Sequence, residues 1–384
     1  MDYDAIIVGG GLAGLALAVA LRRSRLRVAI VEGRQPQYPQ GWDTRIYAVS
    51  PTNARFLDSI GIWQHLDTQR ICPVHKMNVQ GDRQSALHFS AYESGVGELA
   101  WIVESAQLQR ELWESAKRQG NLDLLCPESP VHLEIGAAAA TLRLAGGRSL
   151  SARLVVAADG ADSWTRAAAG IEVDFLHYEH TAVVANFATA LPHRETAWQW
   201  FRGDGVLAWL PLPGQLISIV WSTPAAHAQE LLQLDAAGLA ERVAAAGAYA
   251  LGALTLVTPP AGFPLRLMRA PRTVGPRLAL IGDAAHTIHP LSGHGINLGF
   301  QDACSLAATQ AACPDYVDCG AAQWLRRHER ARREEVLLLQ SATHGLHLLF
   351  GAEQAPVAAL RNFGLNLVDR LPVLKAALTR YAMG

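Results

Sequence analysis

The chain has 384 residues, 50% of them hydrophobic, enough to bury a sizeable core in two domains or one large elaborated one. A formal net charge of −1 gives no electrostatic footprint for nucleic acid. Cys72, Cys126, Cys304, Cys313 and Cys319 are odd in number and follow no disulfide or zinc spacing, which points to no metal site and to a reducing cytoplasm.

The first strand begins at once, leaving no room for a signal peptide. Ala5 to Val8 is short, β-branched and free of charge, as expected of a strand buried on both faces of a parallel sheet. Leu12, Leu15, Ala16, Val19 and Ala20 then recur at helical spacing. Between them Gly9, Gly11 and Gly14 stand in G-x-G-x-x-G spacing: the first for a tight turn, the second for close approach to a pyrophosphate, the third for helix packing. The helix start offers free N–H groups to phosphates. Glu32 ends the second strand, where a carboxylate accepts from both ribose hydroxyls and disfavours a 2′-phosphate. The unit predicts an adenine dinucleotide and by itself leaves FAD and NAD open.

Ser50 followed by Pro51 predicts a helix start, with Gly61 as its stop. Arg45, just before it, is either a surface arginine or a group beside the dinucleotide. Met77, Val79, Leu87 and Phe89 alternate as in strands, and Ser105 to Gln119 predicts an amphipathic helix. Short strands follow, the last from Leu150 to Ala158. It runs into Asp159-Gly160, which places Asp159 either at the carboxyl edge of a sheet, where ligands bind, or in a plain strand-turn-helix.

From Ile171 to Pro264 strands dominate, with one predicted alanine-rich helix from about Ala225 to Ala246. Trp198, Trp200, Trp209 and Trp221 lie in these strands, either as core or as the wall of an apolar pocket. A buried strand, Arg277 to Ile281, then leads into Gly282-Asp283 and the glycines around His294, where a helix from Ile296 to Ala312 begins. A helix N-terminus there suits the N1/C2=O edge of a flavin, which becomes anionic on reduction, and does nothing for nicotinamide. A helix from Ala321 to Phe350 carries Arg326, Arg327, Arg330, Arg332 and Arg333, either a solvated face or a lipid or partner surface. Leu360, Phe363, Leu367, Leu371, Leu374, Leu378 and Tyr381 again have helical spacing, for core or for a membrane surface. No apolar stretch of about 18 or more residues is free of charge, so a soluble or peripheral protein is expected. Abundant alanine and arginine, with lysine only at Lys76, Lys117 and Lys375, point to a GC-rich bacterial genome.

Together these motifs resemble the FAD-dependent aromatic hydroxylases of the para-hydroxybenzoate hydroxylase type, most closely the ubiquinone-biosynthesis hydroxylase family. The resemblance rests on Gly9 to Gly14 with Glu32, on Asp43-Thr-Arg45 with Ala48-Val-Ser-Pro51, and on the D-G-x-x-S-x-x-R of Asp159 to Arg166. It rests too on the G-D-A-A-H-x-x-x-P of Gly282 to Pro290, on Gly295-Ile-Asn297, and on the chain's ending. It departs at His294, where that family usually has glutamine, and at Ser105-Ala106, where it more typically has Asn-Arg.

The resemblance implies an α/β fold. A Rossmann-like FAD-binding domain would take 1–73, 99–171 and 270–320, an inserted β-sheet substrate domain 74–98 and 172–269, and C-terminal helices 321–384. It implies FAD on Gly9, Gly11, Gly14 and Glu32, Arg45 beside the flavin, Gln109 near the adenosine or ribityl part, and Asp283 on the ribityl hydroxyls. Asp159 would serve FAD and transient nicotinamide binding, Pro290 would flank the site of oxygen addition, and Gly295, Ile296 and Asn297 would cradle the pyrimidine edge. Leu12, Ala13, Gly33, Arg34, Val131 and Gly282 complete the expected cofactor contacts. Trp198, Trp200, Trp209 and Pro211 are the expected substrate pocket. Tyr47, His289 and His294 are candidates to orient or deprotonate a phenol, or are packed residues; Arg45, Tyr47, Pro290 and His294 make up the expected catalytic set.

The implied activity is a monooxygenase: NAD(P)H or another donor reduces FAD, O2 adds at flavin C4a, and the hydroperoxide hydroxylates the ring of a polyprenylphenol or quinol. Implied partners are that prenylated phenol, a peripheral contact with the inner membrane and a multi-enzyme biosynthetic complex. The rival readings are a flavin hydroxylase of a soluble aromatic compound and a non-catalytic prenyl-binding protein on the same fold. A flavin halogenase, suggested by Trp198-Gln-Trp200, is disfavoured because W-x-W-x-I-P is not completed.

Overall fold

The computed structural model describes residues 1–81, 85–288 and 295–351. His289, Pro290, His294 and the 360–381 stretch lie outside the described residues.

The chain opens with β1 (Tyr3–Val8), α1 (Leu12–Ala20), β2 (Val28–Val31), β3 (Ile46–Val49) and α2 (Pro51–Ser59). Ser50 caps α2 as its sequence predicts, its hydroxyl accepting from the Asn53 amide at 3.4 Å with proline at the first turn. There follow β4 (Cys72–Val74), β5 (Lys76–Gln80), β6 (Ala86–Ser90), α3 (Ala91–Ser94), β7 (Ala100–Glu104) and α4 (Ser105–Lys117). Next come β8 (Leu122–Leu125), β9 (Pro130–Ile135), β10 (Ala140–Leu144), β11 (Ser149–Ala157) and α5 (Trp164–Ala168). The second sheet is built by β12 (Phe175–Thr189), β13 (Thr196–Arg202), β14 (Gly205–Leu212) and β15 (Leu216–Pro224), then α6 (Ala225–Gln233), α7 (Ala236–Ala246), β16 (Leu254–Leu256) and β17 (Ala261–Arg269). Last are β18 (Val274–Gly275), β19 (Leu278–Leu280), β20 (His286–Thr287), α8 (Gly295–Ala311) and α9 (Ala322–Gly351).

The first sheet has the order β18-β19-β11-β1-β2-β8, parallel from β19 through β8, with the β9/β10 hairpin attached to β11. Its central strand is buried on both faces because its residues are apolar in succession. Ile7 packs with α1, α4 and α8, whereas Ile6 and Val8 pack with Leu133 and Leu142 of the hairpin. A small sheet, β3-β7-β4, sits between this layer and the second large sheet.

The second sheet runs β20-β17-β12-β15-β14-β13-β5-β6. Its faces divide by strand alternation. Val183, Ala185 and Phe187 of β12, Leu207 and Trp209 of β14, and Ile217, Ile219 and Trp221 of β15 turn to α6 and α7, with which they form one buried cluster. Ala197 and Leu212 on the opposite face meet Cys72, Val74 and Ile102 of the small sheet. The single helix expected from Ala225 to Ala246 is two helices. The break falls at Leu234-Asp235, where the Asp235 carboxylate accepts from the Gly238 amide at 2.7 Å and starts α7 afresh. α9 bridges both layers: Gln340 Nε2 donates to the carbonyls of Met268 at 2.9 Å and Thr287 at 3.0 Å in the second sheet, and Glu329 accepts from the Thr273 amide at 2.9 Å beside β18 of the first.

Candidate active site

At the carboxyl ends of β1, β2, β11 and β19 lies a cleft of about 750 Å³, the place where open parallel sheets bind ligands. Gly9 forms its floor with φ +111°, and a Cβ there would lie 2.3 Å from the Ala158 carbonyl oxygen. At Gly14 a Cβ would lie 2.2 Å from the Gly9 oxygen, so only glycine lets α1 approach the turn this closely. Gly11 caps α1 with no side-chain hydrogen bond, and a Cβ there would meet nothing within 4 Å. The first turn of α1 therefore presents unfilled N–H groups to the cleft. The Glu32 carboxylate accepts from the Gly10 amide at 2.6 Å and the Arg34 amide at 2.9 Å. Each oxygen keeps a further lone pair for a ribose hydroxyl.

Opposite this cradle, Asp159 and Asp283 enter from neighbouring strand ends. Asp159 accepts from the Ser163 hydroxyl at 2.5 Å and the Thr165 amide at 2.9 Å, which fixes the start of α5. Asp283 opens onto the cleft, yet the cleft walls surround it. This burial raises its carboxyl above the ordinary range against the pull of His286, Arg45 and Arg266.

The loop that carries Arg45 is held from several sides. Glu104 accepts from the Asp43 amide at 2.6 Å, and the Asp43 carboxylate accepts from the amides of Arg45 at 2.9 Å and Ala106 at 2.8 Å. Asn186 of β12 donates to the Asp43 carbonyl at 2.8 Å. Arg45 then lies 5.3 Å from the ring centroid of Phe263 on β17. Tyr47 lines the cleft beside it, its phenol pushed above the usual pKa by burial, with Asp283 and Asp43 adding to the rise and Arg45 and Ser105 opposing it.

The structure thus gathers Gly9, Gly11, Leu12, Ala13, Glu32, Gly33, Arg45, Tyr47, Gln109, Asp159, Gly282, Asp283, Gly295 and Ile296 around one cleft. Gln109 Nε2 donates to the Gly10 carbonyl at 3.4 Å. Other expected positions stand apart from the lining. Gly14 serves packing. Arg34 contributes its amide to Glu32. Val131 is 50% exposed, and its neighbours Ser129 and Pro130 face the cleft instead. The Asn297 side chain is spent internally: its oxygen accepts from the Ser50 amide at 2.9 Å and Asn53 Nδ2 at 3.0 Å, and its Nδ2 donates to the Ala48 carbonyl at 2.8 Å.

The expected pocket of Trp198, Trp200, Trp209 and Pro211 is not part of this cleft. Trp200 and Trp209 are buried in the cluster against α6 and α7, with Trp198 packed against it, and Pro211 shares the face of Trp209 by alternation. On the sheet face opposite α6 and α7, Phe263 lies beside Arg45 of the cleft, while the buried cluster of Tyr178, Ala182 and Leu265, with Val220 and Leu267 packed against it, meets His344 of α9 through Tyr178. Sequence reasoning also missed Ser105, Ser129, Pro130, Asp162 and Trp164. Asp162 and Trp164 lie inside the Asp159 to Arg166 motif, which could have signalled them.

The glycine cradle, the unfilled helix start, the ribose-facing carboxylate and the length of the cleft up to Asp283 and Gly295 fit FAD. The FAD binding domain family model matches residues 2–316. The ubiquinone hydroxylase UbiL of Rhodospirillum rubrum is 35% identical over 99% of this chain and 89% of its own length. The 3-demethoxyubiquinol 3-hydroxylase of Escherichia coli is 32% identical over 98% of this chain and 97% of its own. Among solved structures, p-nitrophenol 4-monooxygenase PnpA of Pseudomonas putida shares the fold with a TM-score of 0.82 at 18% identity, covering 100% of this chain and 98% of that one. An FAD cleft built from these motifs, matched along nearly the whole chain by such relatives, places the protein in the FAD-dependent hydroxylase family of ubiquinone biosynthesis.

Proposed function

We propose that this monooxygenase hydroxylates the aromatic ring of a polyprenylphenol or quinol in ubiquinone biosynthesis. The observation that carries the reading is the likeness along nearly the whole chain to hydroxylases of ubiquinone biosynthesis, supported by the apolar Phe263 of the second sheet beside Arg45 of the FAD cleft. Bound FAD, reduced by NAD(P)H or another donor, supplies with O2 the oxygen that reaches the ring.

The chain's own residues bind, orient and exclude water. The α1 start and the Gly9–Gly11 turn hold the pyrophosphate, Glu32 the ribose and Asp283 the ribityl hydroxyls. The α8 start at Gly295 and Ile296 offers amide dipoles to negative charge at the pyrimidine edge. Tyr47 keeps its proton on Oη at neutral pH because burial raises its pKa, so it orients a substrate hydroxyl as a donor and does not act as a base. Phe263 of the second sheet covers the ring and sheds water from it.

A hydroxylase of a soluble aromatic acid is the second reading. It draws on Arg45, which pairs with no carboxylate among the described ion pairs. Single turnover separates the two. The reduced protein would receive a short-chain prenylphenol and isotopically heavy O2, and mass spectrometry would read the products. Heavy oxygen in a ring hydroxyl is the expected outcome. Hydrogen peroxide alone with the prenylphenol, and hydroxylation of an aromatic acid, would move the reading to the soluble substrate.

A peripheral membrane contact accords with the exposed Arg326, Arg330 and Arg333 of α9 and with Leu338 and Leu348, 48% and 59% exposed. Among the described residues no helix is long and apolar enough to cross a membrane. Flotation with anionic liposomes, compared with a chain truncated after Glu353, tests the contact; neither protein floating would reject it.

A further inference from the structure

The geometry points to Asp302 as a positioning residue for FAD, acting through Gly282 and His286 on the Asp283 that lies between them. Asp302 sits in α8, 2% exposed. One of its carboxylate oxygens accepts from the Gly282 amide at 2.9 Å and from His286 Nε2 at 2.7 Å. The other accepts from Arg332 Nε of α9 at 2.8 Å. Arg332 is itself anchored, donating to Gln301 at 3.0 Å and pairing with Glu335. A buried carboxylate is costly unless its lone pairs are filled, and here charged or backbone donors fill them.

The donors it recruits stand on either side of the residue that enters the cleft. Gly282 precedes Asp283, in a left-handed turn (φ +58°) pressed so close to α1 that a Cβ would lie 3.2 Å from that of Ala13. His286 follows it, and β20 is bonded to β17. One carboxylate therefore grips both ends of the short loop that projects Asp283, while α1 blocks it from behind.

The same contact sets charge. Burial disfavours a proton on His286, but the charge and hydrogen bond of Asp302, with Asp283 beyond, overcome this and raise its pKa. Burial likewise disfavours the charge of Asp302, and His286 and Arg332, with His328 of α9, overcome it and hold its carboxyl low. The imidazolium then faces Asp283 together with Arg45 and Arg266, and these three oppose the burial that would neutralise that carboxyl, whereas the negative charge of Asp302, acting directly, adds a smaller push the other way. An ionised Asp283 accepts from two hydroxyls, and a protonated one loses part of that capacity. A tie between α8 and α9 alone would need neither the bond to Gly282 nor the one to His286.

The inference rests on Asp283 as the acceptor for the ribityl hydroxyls, and a double-mutant cycle tests both separately. Apoprotein carrying Asp283→Asn, Asp302→Asn or both would be titrated with FAD by flavin fluorescence, and the apo unfolding midpoints and the visible spectra of bound FAD recorded. Each single variant is expected to weaken FAD binding about tenfold or more, the loss of a hydrogen bond to a charged group. With Asp283 already replaced, Asp302→Asn should add no more than about twofold. The bound-flavin spectrum of Asp302→Asn should move toward that of free FAD. Wild-type FAD affinity in Asp283→Asn would refute the reading of Asp283 and, with it, the route proposed for Asp302. Weakening by Asp283→Asn with full additivity in the double variant would leave Asp283 in place and overturn the role of Asp302. If Asp302→Asn does not fold, His286→Gln, whose amide can still donate to Asp302, enters the same cycle: non-additivity with Asp283→Asn supports the proposal and additivity overturns it.

Discussion

The two large sheets solve different problems with different materials. In the nucleotide-binding layer the ligand meets backbone and fixed charge: a glycine turn, a helix start and carboxylates whose other bonds are already satisfied. In the second sheet one face is sealed by a slab of aromatic and branched side chains under α6 and α7, and the other packs partly against the small sheet and α9, with Phe263 left exposed beside Arg45. The first admits no side chain at Gly9 or Gly14. The second asks only for shape and apolarity on the open face, and full packing on the closed one. On the proposed reading, specificity for the cofactor resides in atoms that point in fixed directions, and specificity for the substrate in a surface.

The sharpest test of that contrast is Gly9→Ala. Its Cβ would meet the Ala158 carbonyl at 2.3 Å in a backbone conformation that L residues avoid. The purified protein should lack flavin absorbance, and a yellow variant would break the comparison at its strongest point. Trp209→Ala comes next, at about 3–5 kcal/mol of stability from the cavity left in a well-packed core. Denaturant unfolding measures the loss, and turnover per folded molecule should be retained. Lost turnover in the folded fraction would return Trp209 to the active site.

A third test uses acid. Burial holds His328 at about 4, against the ordinary histidine value of about 6.5. Between these values the unfolded chain binds a proton that the folded chain refuses. Its linkage is absent above about pH 6.5, and stability falls as pH drops toward 4, by up to about 3 kcal/mol from this residue. His286 works in the opposite sense: its raised pKa contributes stability that is full below about 6.5 and is lost as pH rises through its folded value. His328→Leu should flatten the acid side of the urea-midpoint profile, and an unchanged profile would discard the assignment. Asn186→Ala, at the seam, should cost about 1–3 kcal/mol by leaving the partly buried Asp43 carbonyl without its donor. It should also release more peroxide per turnover, since Arg45 follows that loop. The smallest effect belongs to Phe263→Ala: at 39% exposure it should change stability by less than about 1 kcal/mol while raising the KM for a prenylphenol. A large stability loss there would mean the open face is core after all.

The nucleotide layer was legible because its function is written in residue types that have few other uses. Glycines at fixed spacing, a carboxylate at the end of a strand and Asp-Gly after another strand each imply a backbone geometry. The structure assembles Gly9, Glu32, Asp159 and Asp283 around one cleft as that reading required. The tryptophans show the opposite case. Alternation along β13 and β14 puts Trp198, Trp200 and Trp209 on a common side, but which layer covers that side is decided by α6 and α7, much later in the chain. Nothing local distinguishes a wall of a pocket from a core when both are aromatic. Asn297 illustrates a third limit: its place at the α8 start was readable, yet its side chain turns back to Ser50, Asn53 and Ala48, contacts that only the folded chain brings near. The division of the Ala225–Ala246 stretch into two helices was hidden because a single capping aspartate interrupts an otherwise continuous run of good helix formers.

The stretch from Gly282 to Thr287 belongs to both sheets at once. It leaves β19 of the nucleotide layer, carries Asp283 into the cleft, and within a few residues pairs as β20 with β17 of the second sheet. A chain threaded in this way cannot melt in halves: pulling the second sheet away would drag the cofactor turn out of register, so calorimetric and van't Hoff enthalpies should agree across a single transition. Recombination faces the same constraint. Transplanting the second sheet from a relative to alter substrate choice would succeed only if the crossover points keep Gly282 to Thr287 with the β17 it pairs with, making that strand pair the smallest heritable unit of specificity.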